Sequence, residues 1–141
     1  TFPYGTLSEQ WRRFVMASDL DRQAAIESCS WGLFQILGQN WQALGYDSAE
    51  AFFDAMHEGE AQHLDAFLRF IRANNLSAPL RAGRGDPESW REFARKYNGP
   101  GYASHEYHKR LAAAYAKRAE ATSRKEKLLS MGRKIRETFF P

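Results

Sequence analysis

The sequence predicts an all-α domain, and three observations carry that prediction. Apolar residues recur at i, i+3, i+4 spacing in most segments, helix-capping residues precede several of them, and no alternation of useful length marks a strand. The first helix opens at Thr6-Leu7-Ser8-Glu9, a capping box, and continues with Leu7, Trp11, Phe14 and Val15 on one face. Asp19 is placed to cap a second helix through Ala24, Ala25 and Ile26 to about Ser28. A glycine-bearing segment follows, Ser30-Trp31-Gly32-Leu33-Phe34-Gln35-Ile36-Leu37-Gly38, then a short helix around Trp41 that ends at Gly45.

Asp47 and Glu50 form a second capping pair for a helix carrying Ala51, Phe52, Ala55 and Met56. A longer helix presents Leu64, Phe67, Leu68 and Ile71 as one stripe and stops near Asn74-Asn75. Asp86-Pro87 signals another start, because Asp caps and Pro is preorganised at the first helical position. Trp90, Phe93, Ala94 and Tyr97 form that helix's buried face, and Asn98-Gly99-Pro100-Gly101 ends it. Tyr107, Leu111, Ala114 and Tyr115 mark the next. The last segment, about Ser123 to Glu137, reads as an appended amphipathic helix on a basic background, with Leu128, Leu129, Met131 and Ile135 as its apolar residues. Trp11, Phe14, Leu64, Phe67, Leu68, Ile71, Trp90 and Phe93 are expected in a single core.

The 141 residues suffice for one domain, and 43% hydrophobic content excludes global disorder. A single cysteine, Cys29, excludes an internal disulfide scaffold, and its apolar setting reads as a buried, inert thiol. No apolar run reaches membrane-spanning length, and no signal peptide is visible. Positive charge gathers at one end. Lys117 to Glu137 holds eight Lys/Arg against three acids, net +5, while the remainder is net −2. Nucleic acid is not expected as a partner, because no recognition motif accompanies that charge. The tail reads as a solvated helix or one drawn to an anionic wall or membrane surface.

Two stretches carry chemistry. In the first, Gln35 is an amide among apolar neighbours, and it either braces the backbone or meets a polar ligand; Gly32 permits a close approach of the main chain. In the second, Tyr97-Asn98-Gly99-Pro100-Gly101-Tyr102 presents an amide and two tyrosines around a rigid turn, which is also ordinary helix-end chemistry. His105 and His108, at i, i+3, lack the further ligands a metal needs and read as a surface pair. The Arg81-to-Asp86 stretch reads as a loop.

Taken together, Ser28 to Gly38, Gln62 to Ile71, Trp90 to Tyr102 and Lys109 to Tyr115, with Tyr4-Gly5 and Gln10-Trp11-Arg13 before them, resemble the bacterial and phage N-acetylmuramidases of endolysins and secreted antibacterial effectors. Gly32-Leu33-Phe34-Gln35 and Tyr97-Asn98-Gly99 are also similar to two signatures of lysozyme-fold lytic transglycosylases. The resemblance implies a lysozyme-like helical domain over residues 1–116, lacking its N-terminal helix, and a basic helical extension over 117–141. It implies hydrolysis of the β-1,4 bond between N-acetylmuramic acid and N-acetylglucosamine. The alternative is a peptidoglycan-binding portion of such a protein that does not itself cut.

Ser30, Trp31, Gln35, Tyr97, Asn98 and Tyr102 are the implied sugar-binding residues, and Gln35, Tyr97 and Asn98 are expected to line one groove. The family's catalytic glutamate lies on a helix well before the Trp-Gly-x-Phe-Gln block, so it is expected upstream of Thr1. Glu27, eight residues before Gln35, is the candidate within the chain and reads as a solvated helix residue. No metal or other cofactor is expected. Glycan strands of peptidoglycan are the expected partner, and the resemblance admits an immunity protein or upstream domains of the same polypeptide as others. The protein is expected to be made in the cytoplasm and to act at the wall or periplasm after release or secretion.

Overall fold

The structure, a computed structural model, describes residues 5–139, with side chains as far as Met131. Tyr4 lies outside the described residues, as does the side chain of Ile135. The described chain is helical almost throughout, with seven α-helices and one very short hairpin. It divides into two compact units, residues 1–75 and 76–141, where a single core was expected.

In the first unit, α1 (Leu7–Ser18) opens with the expected capping box: Thr6 accepts from the Glu9 amide, and the Glu9 carboxylate accepts from the Thr6 amide. α2 (Arg22–Ser28) is capped by Asp21, whose Oδ1 accepts from the Ala24 amide at 2.9 Å, while Asp19 ends α1 instead. β1 (Ser30–Trp31) pairs antiparallel with β2 (Ile36–Leu37), Trp31 opposite Ile36. A hairpin this short has no alternation to read in the sequence. α3 (Ala49–Glu58) is capped by Ser48, not Asp47, and Glu50 instead pairs with Arg22 at 2.6 Å. The Arg22 guanidinium also lies over the Phe53 ring, 4.6 Å from its centroid, so one side chain ties α2 to α3.

α4 (Glu60–Ala73) buries a different stripe from the one expected. Ala66 and Ile71 are buried, and His63, Phe67 and Phe70 are half-buried, whereas Leu64 and Leu68 remain 48% and 38% exposed. The buried positions keep helical spacing, but the stripe begins at a histidine, so hydrophobicity alone selects the neighbouring one. α1 departs similarly. Phe14 is buried at 5% exposure, while Trp11, Val15 and Leu7 face outward. Two clusters form this unit's core. Phe14, Ala25, Ile26, Ala49 and Phe53 make one; Ile36, Leu44, Phe52, Met56 and Ala66 make the other; Trp31 and Trp41 pack against both. Each large side chain fully withdrawn from water contributes roughly 1.5–3 kcal/mol.

The second unit begins with α5 (Ser77–Ala82), a short helix that the sequence reading did not identify. The Asp86-Pro87 signal starts a 3₁₀ turn, Pro87–Trp90, and α6 (Arg91–Asn98) follows it. Trp90, Phe93, Ala94 and Ala112 are buried here. Gly83 allows the Trp90 indole to lie against its backbone, where a Cβ would meet ring atoms at 2.4–2.6 Å. A second 3₁₀ turn, Pro100–Ala103, leads to α7 (Tyr107–Phe139), 33 residues in one unbroken helix. The expected extension from 117 therefore continues the helix that begins at Tyr107.

Candidate functional site

The first unit carries a cleft of about 610 Å³, lined from α1 by Leu7, Ser8, Gln10, Trp11 and Phe14, and from the hairpin by Cys29, Ser30, Trp31, Gly32 and Gln35. Three of the expected sugar-binding residues, Ser30, Trp31 and Gln35, therefore share one surface. The end of α2 builds it. Its last carbonyls need donors, and the Ile26 oxygen accepts both from the Cys29 amide and from the Trp31 indole at 2.9 Å. Gly38 closes the hairpin against the same carbonyl, where a Cβ would lie only 2.0 Å from the Ile26 oxygen.

The loop between the strands is tightly specified. Gly32 has φ +70° and Gln35 φ +51°, the latter uncommon for a residue with a Cβ. The Gln35 backbone amide and its side-chain Nε2 both donate to the Gly32 carbonyl, at 3.2 and 3.0 Å. Gln35 thus braces its own loop, from an exposed position and not from within an apolar interior. Its exposed Oε1 has no partner among the described residues and remains available to accept from a ligand.

His63 supports this loop from α4. Its ring packs on Gly32, Nε2 donates to the Met56 carbonyl at 2.9 Å, and Nδ1 accepts from the Leu33 amide at 3.4 Å. A carbonyl can only accept, so the proton sits on Nε2 and Nδ1 is free to serve Leu33. The sequence reading singled out neither this role nor that of Trp11. Trp11 was assigned to the core by its spacing, yet it is 48% exposed at the cleft edge. Its ring lies 5.3 Å from that of Phe14, which meets Trp31 edge-on at 4.9 Å. An exposed indole held by packed rings gives a ligand with an apolar face, such as a pyranose, a surface to lie on, and Trp31 forms part of the wall beside it.

Cys29 is half-buried in the same wall, and burial pushes its thiol up, which keeps it protonated and a poor nucleophile. Glu27 lies on α2 behind the hairpin. Its Oε1 accepts from Gln23 Nε2 and from the Trp41 indole, both at 2.9 Å, and these two donors hold its carboxyl below the usual 4.5. The residue is a hydrogen-bonded bracket and not a freely solvated group.

The second unit carries Tyr97, Asn98 and Tyr102. Tyr97 stacks on Phe93 at 5.4 Å, and burial pushes its phenol up to about 12. Asn98 is exposed as the last residue of α6, beside Gly99 at φ +80°. The Tyr102 hydroxyl accepts from Arg91 at 3.4 Å, and its ring meets His108 edge-on at 5.4 Å. His108 is 5% exposed, with no partner for Nδ1 among the described residues, whereas His105 is exposed. The expected surface pair is therefore one surface and one buried histidine. Among the described residues, no three His, Cys, Asp or Glu side chains are grouped to hold a metal.

A family model described as N-acetylmuramidase matches residues 2–119. Among solved structures, the crystal structure of the Burkholderia AP3 phage endolysin is similar, with a TM-score of 0.72 and 39% identity. The similarity covers 84% of this chain and 44% of that one, so the chain spans less than half of that endolysin's length. No curated protein matches the chain.

Proposed function

Because this chain belongs to the N-acetylmuramidase family, we propose that it is the glycan-binding part of a peptidoglycan-degrading muramidase of the endolysin type. The observation that carries this reading is the cleft of the first unit, where Trp11 offers an exposed ring beside Trp31 and Gln35 offers a fixed acceptor. An N-acetyl sugar presents an apolar ring face, hydroxyls and an amide N–H, which suits an exposed indole and an amide oxygen.

In the proposed reaction, the β-1,4 bond between N-acetylmuramic acid and N-acetylglucosamine is hydrolysed. A carboxylic acid protonates the leaving oxygen as positive charge develops on the sugar, which requires a raised pKa. Glu27 is held in the opposite direction by Gln23 and Trp41, so it is ionised at neutral pH and has no proton to give. Glu27 is therefore assigned no acid role, and this chain is assigned the work of gripping the strand and fixing the scissile bond.

The test compares residues 1–141 with the longest polypeptide of its reading frame on purified sacculi. Products ending in reducing N-acetylmuramic acid from the longer polypeptide, with the short chain sedimenting on sacculi but releasing little, support the reading. Products ending in reducing N-acetylglucosamine overturn the bond assignment, and 1,6-anhydro-N-acetylmuramic acid ends overturn hydrolysis, because the muramic C6 hydroxyl has then replaced water at the same bond. Full activity from the short chain, lost in Glu27→Gln with folding intact, overturns the assignment of the acid.

A further inference from the structure

From Lys117 to Met131 every residue of α7 is exposed, and no ion pair is made there among the described residues. An isolated helix of that kind gains nothing from tertiary packing, yet it carries Leu128, Leu129 and Met131 at 58%, 61% and 56% exposure. The helix turns about 100° per residue, which sets the faces. Lys117, Arg118, Arg124, Lys125 and Lys127 fall within the same roughly 200° of arc as those three apolar residues, together with Glu120. The opposite side holds Glu126 with Ser123, Ser130, Thr122 and Ala119. Cations and apolar groups thus alternate on one side, with one acid, Glu120, among them, so a single face offers charge and hydrocarbon together to an anionic lipid interface.

We propose that this exposed part of α7 docks on an anionic phospholipid surface. The five cations meet the headgroup phosphates, and Leu128, Leu129 and Met131 enter the acyl boundary. The apolar residues favour lipid over a wall polymer or RNA, because neither polyanion offers a hydrocarbon phase. The helix lies on the surface and does not span it, since among the described residues no helix is long and apolar enough to cross a membrane. Sequence beyond Met131 continues the same composition with Arg133, Lys134 and Arg136.

The experiment measures cosedimentation of the 141-residue chain with vesicles of phosphatidylglycerol and phosphatidylethanolamine, with phosphatidylcholine vesicles beside them. Binding is expected to the anionic vesicles only. Arg124→Gln, Lys125→Gln and Lys127→Gln together are expected to weaken it on the order of 100-fold, at about one surface-attracted charge each. Leu128→Gln, Leu129→Gln and Met131→Gln together are expected to abolish the binding that survives high salt. Glutamine is a good helix former, and circular dichroism of each variant confirms that α7 persists. Failure to bind anionic vesicles overturns the proposal. So does binding that neither triple variant changes, or binding to sacculi or RNA that the charge variant abolishes while vesicles are ignored.

Discussion

The indole of Trp41 donates its Nε1 hydrogen to the Glu27 carboxylate across 2.9 Å, joining the turn after β2 to α2. Gln23 donates to the same oxygen. The acceptor's charge makes each bond stronger than a neutral one, and the two donors together favour the ionised form, which is why the carboxyl is held low. A carboxyl whose folded pKa is depressed stabilises the fold above its unfolded value of 4.5, and that stability is lost as pH falls through the lower folded value. The melting temperature is therefore expected to fall as pH drops below about 4.5, and less steeply in Glu27→Gln. An unchanged slope in the variant would count against the bracket.

Gly38 and Gly99 separate two reasons for glycine. At Gly38 a Cβ would meet the Ile26 oxygen at 2.0 Å, backbone against backbone, with nothing flexible to yield. At Gly99 nothing lies within 4 Å, and only the φ of +80° resists a side chain. Gly99→Ala is expected to cost about 1–3 kcal/mol from backbone strain. Gly38→Ala should cost more and disorder the hairpin. Urea titration of both variants checks the order, and equal costs would contradict it.

His63 is expected to be a positioning residue for the cleft. His63→Ala removes a donor to Met56 and an acceptor for Leu33, costing about 1–3 kcal/mol for the groups left unpaired. Binding of peptidoglycan fragments should fall in parallel with Gln35→Ala, because Gln35 sits in the loop that His63 supports. His63→Gln, which can restore one of the two bonds, should recover part of the affinity. Fragment binding indifferent to both His63 variants would place the loop's rigidity elsewhere.

Tyr97 should titrate late. Its folded pKa of about 12 lies above the ordinary 10.0, so burial favours the neutral phenol. The corresponding stability is present below pH 10 and is lost as pH rises toward 12. A 295 nm titration should show one phenol ionising after the rest, and Tyr97→Phe should remove that phase. A Tyr97 that ionises with the others would mean that its hydroxyl is open to water.

Local chemistry determined a large part of this protein. Helical spacing, the Thr6–Glu9 box and the Asn98-Gly99 stop act within a few residues, so they hold in any surroundings, and the helices appear where they point. The family was legible for the same reason, since its motifs are contiguous strings. Burial was decided elsewhere. Trp11 and Phe14 share one periodic face of α1, yet Phe14 is enclosed by Trp31 and Phe53, which arrive from distant segments, while Trp11 meets His57 at 6.1 Å and stays 48% exposed. Asp19, Asp21, Asp47 and Ser48 are all able caps, and the exact turn of the chain chose Asp21 and Ser48. His63 carries no mark of its task in its neighbours, because the groups it serves, Met56 and Leu33, lie 7 and 30 residues away. Which of several chemically competent residues does the work depends on contacts remote in the chain, and only the tertiary structure makes them.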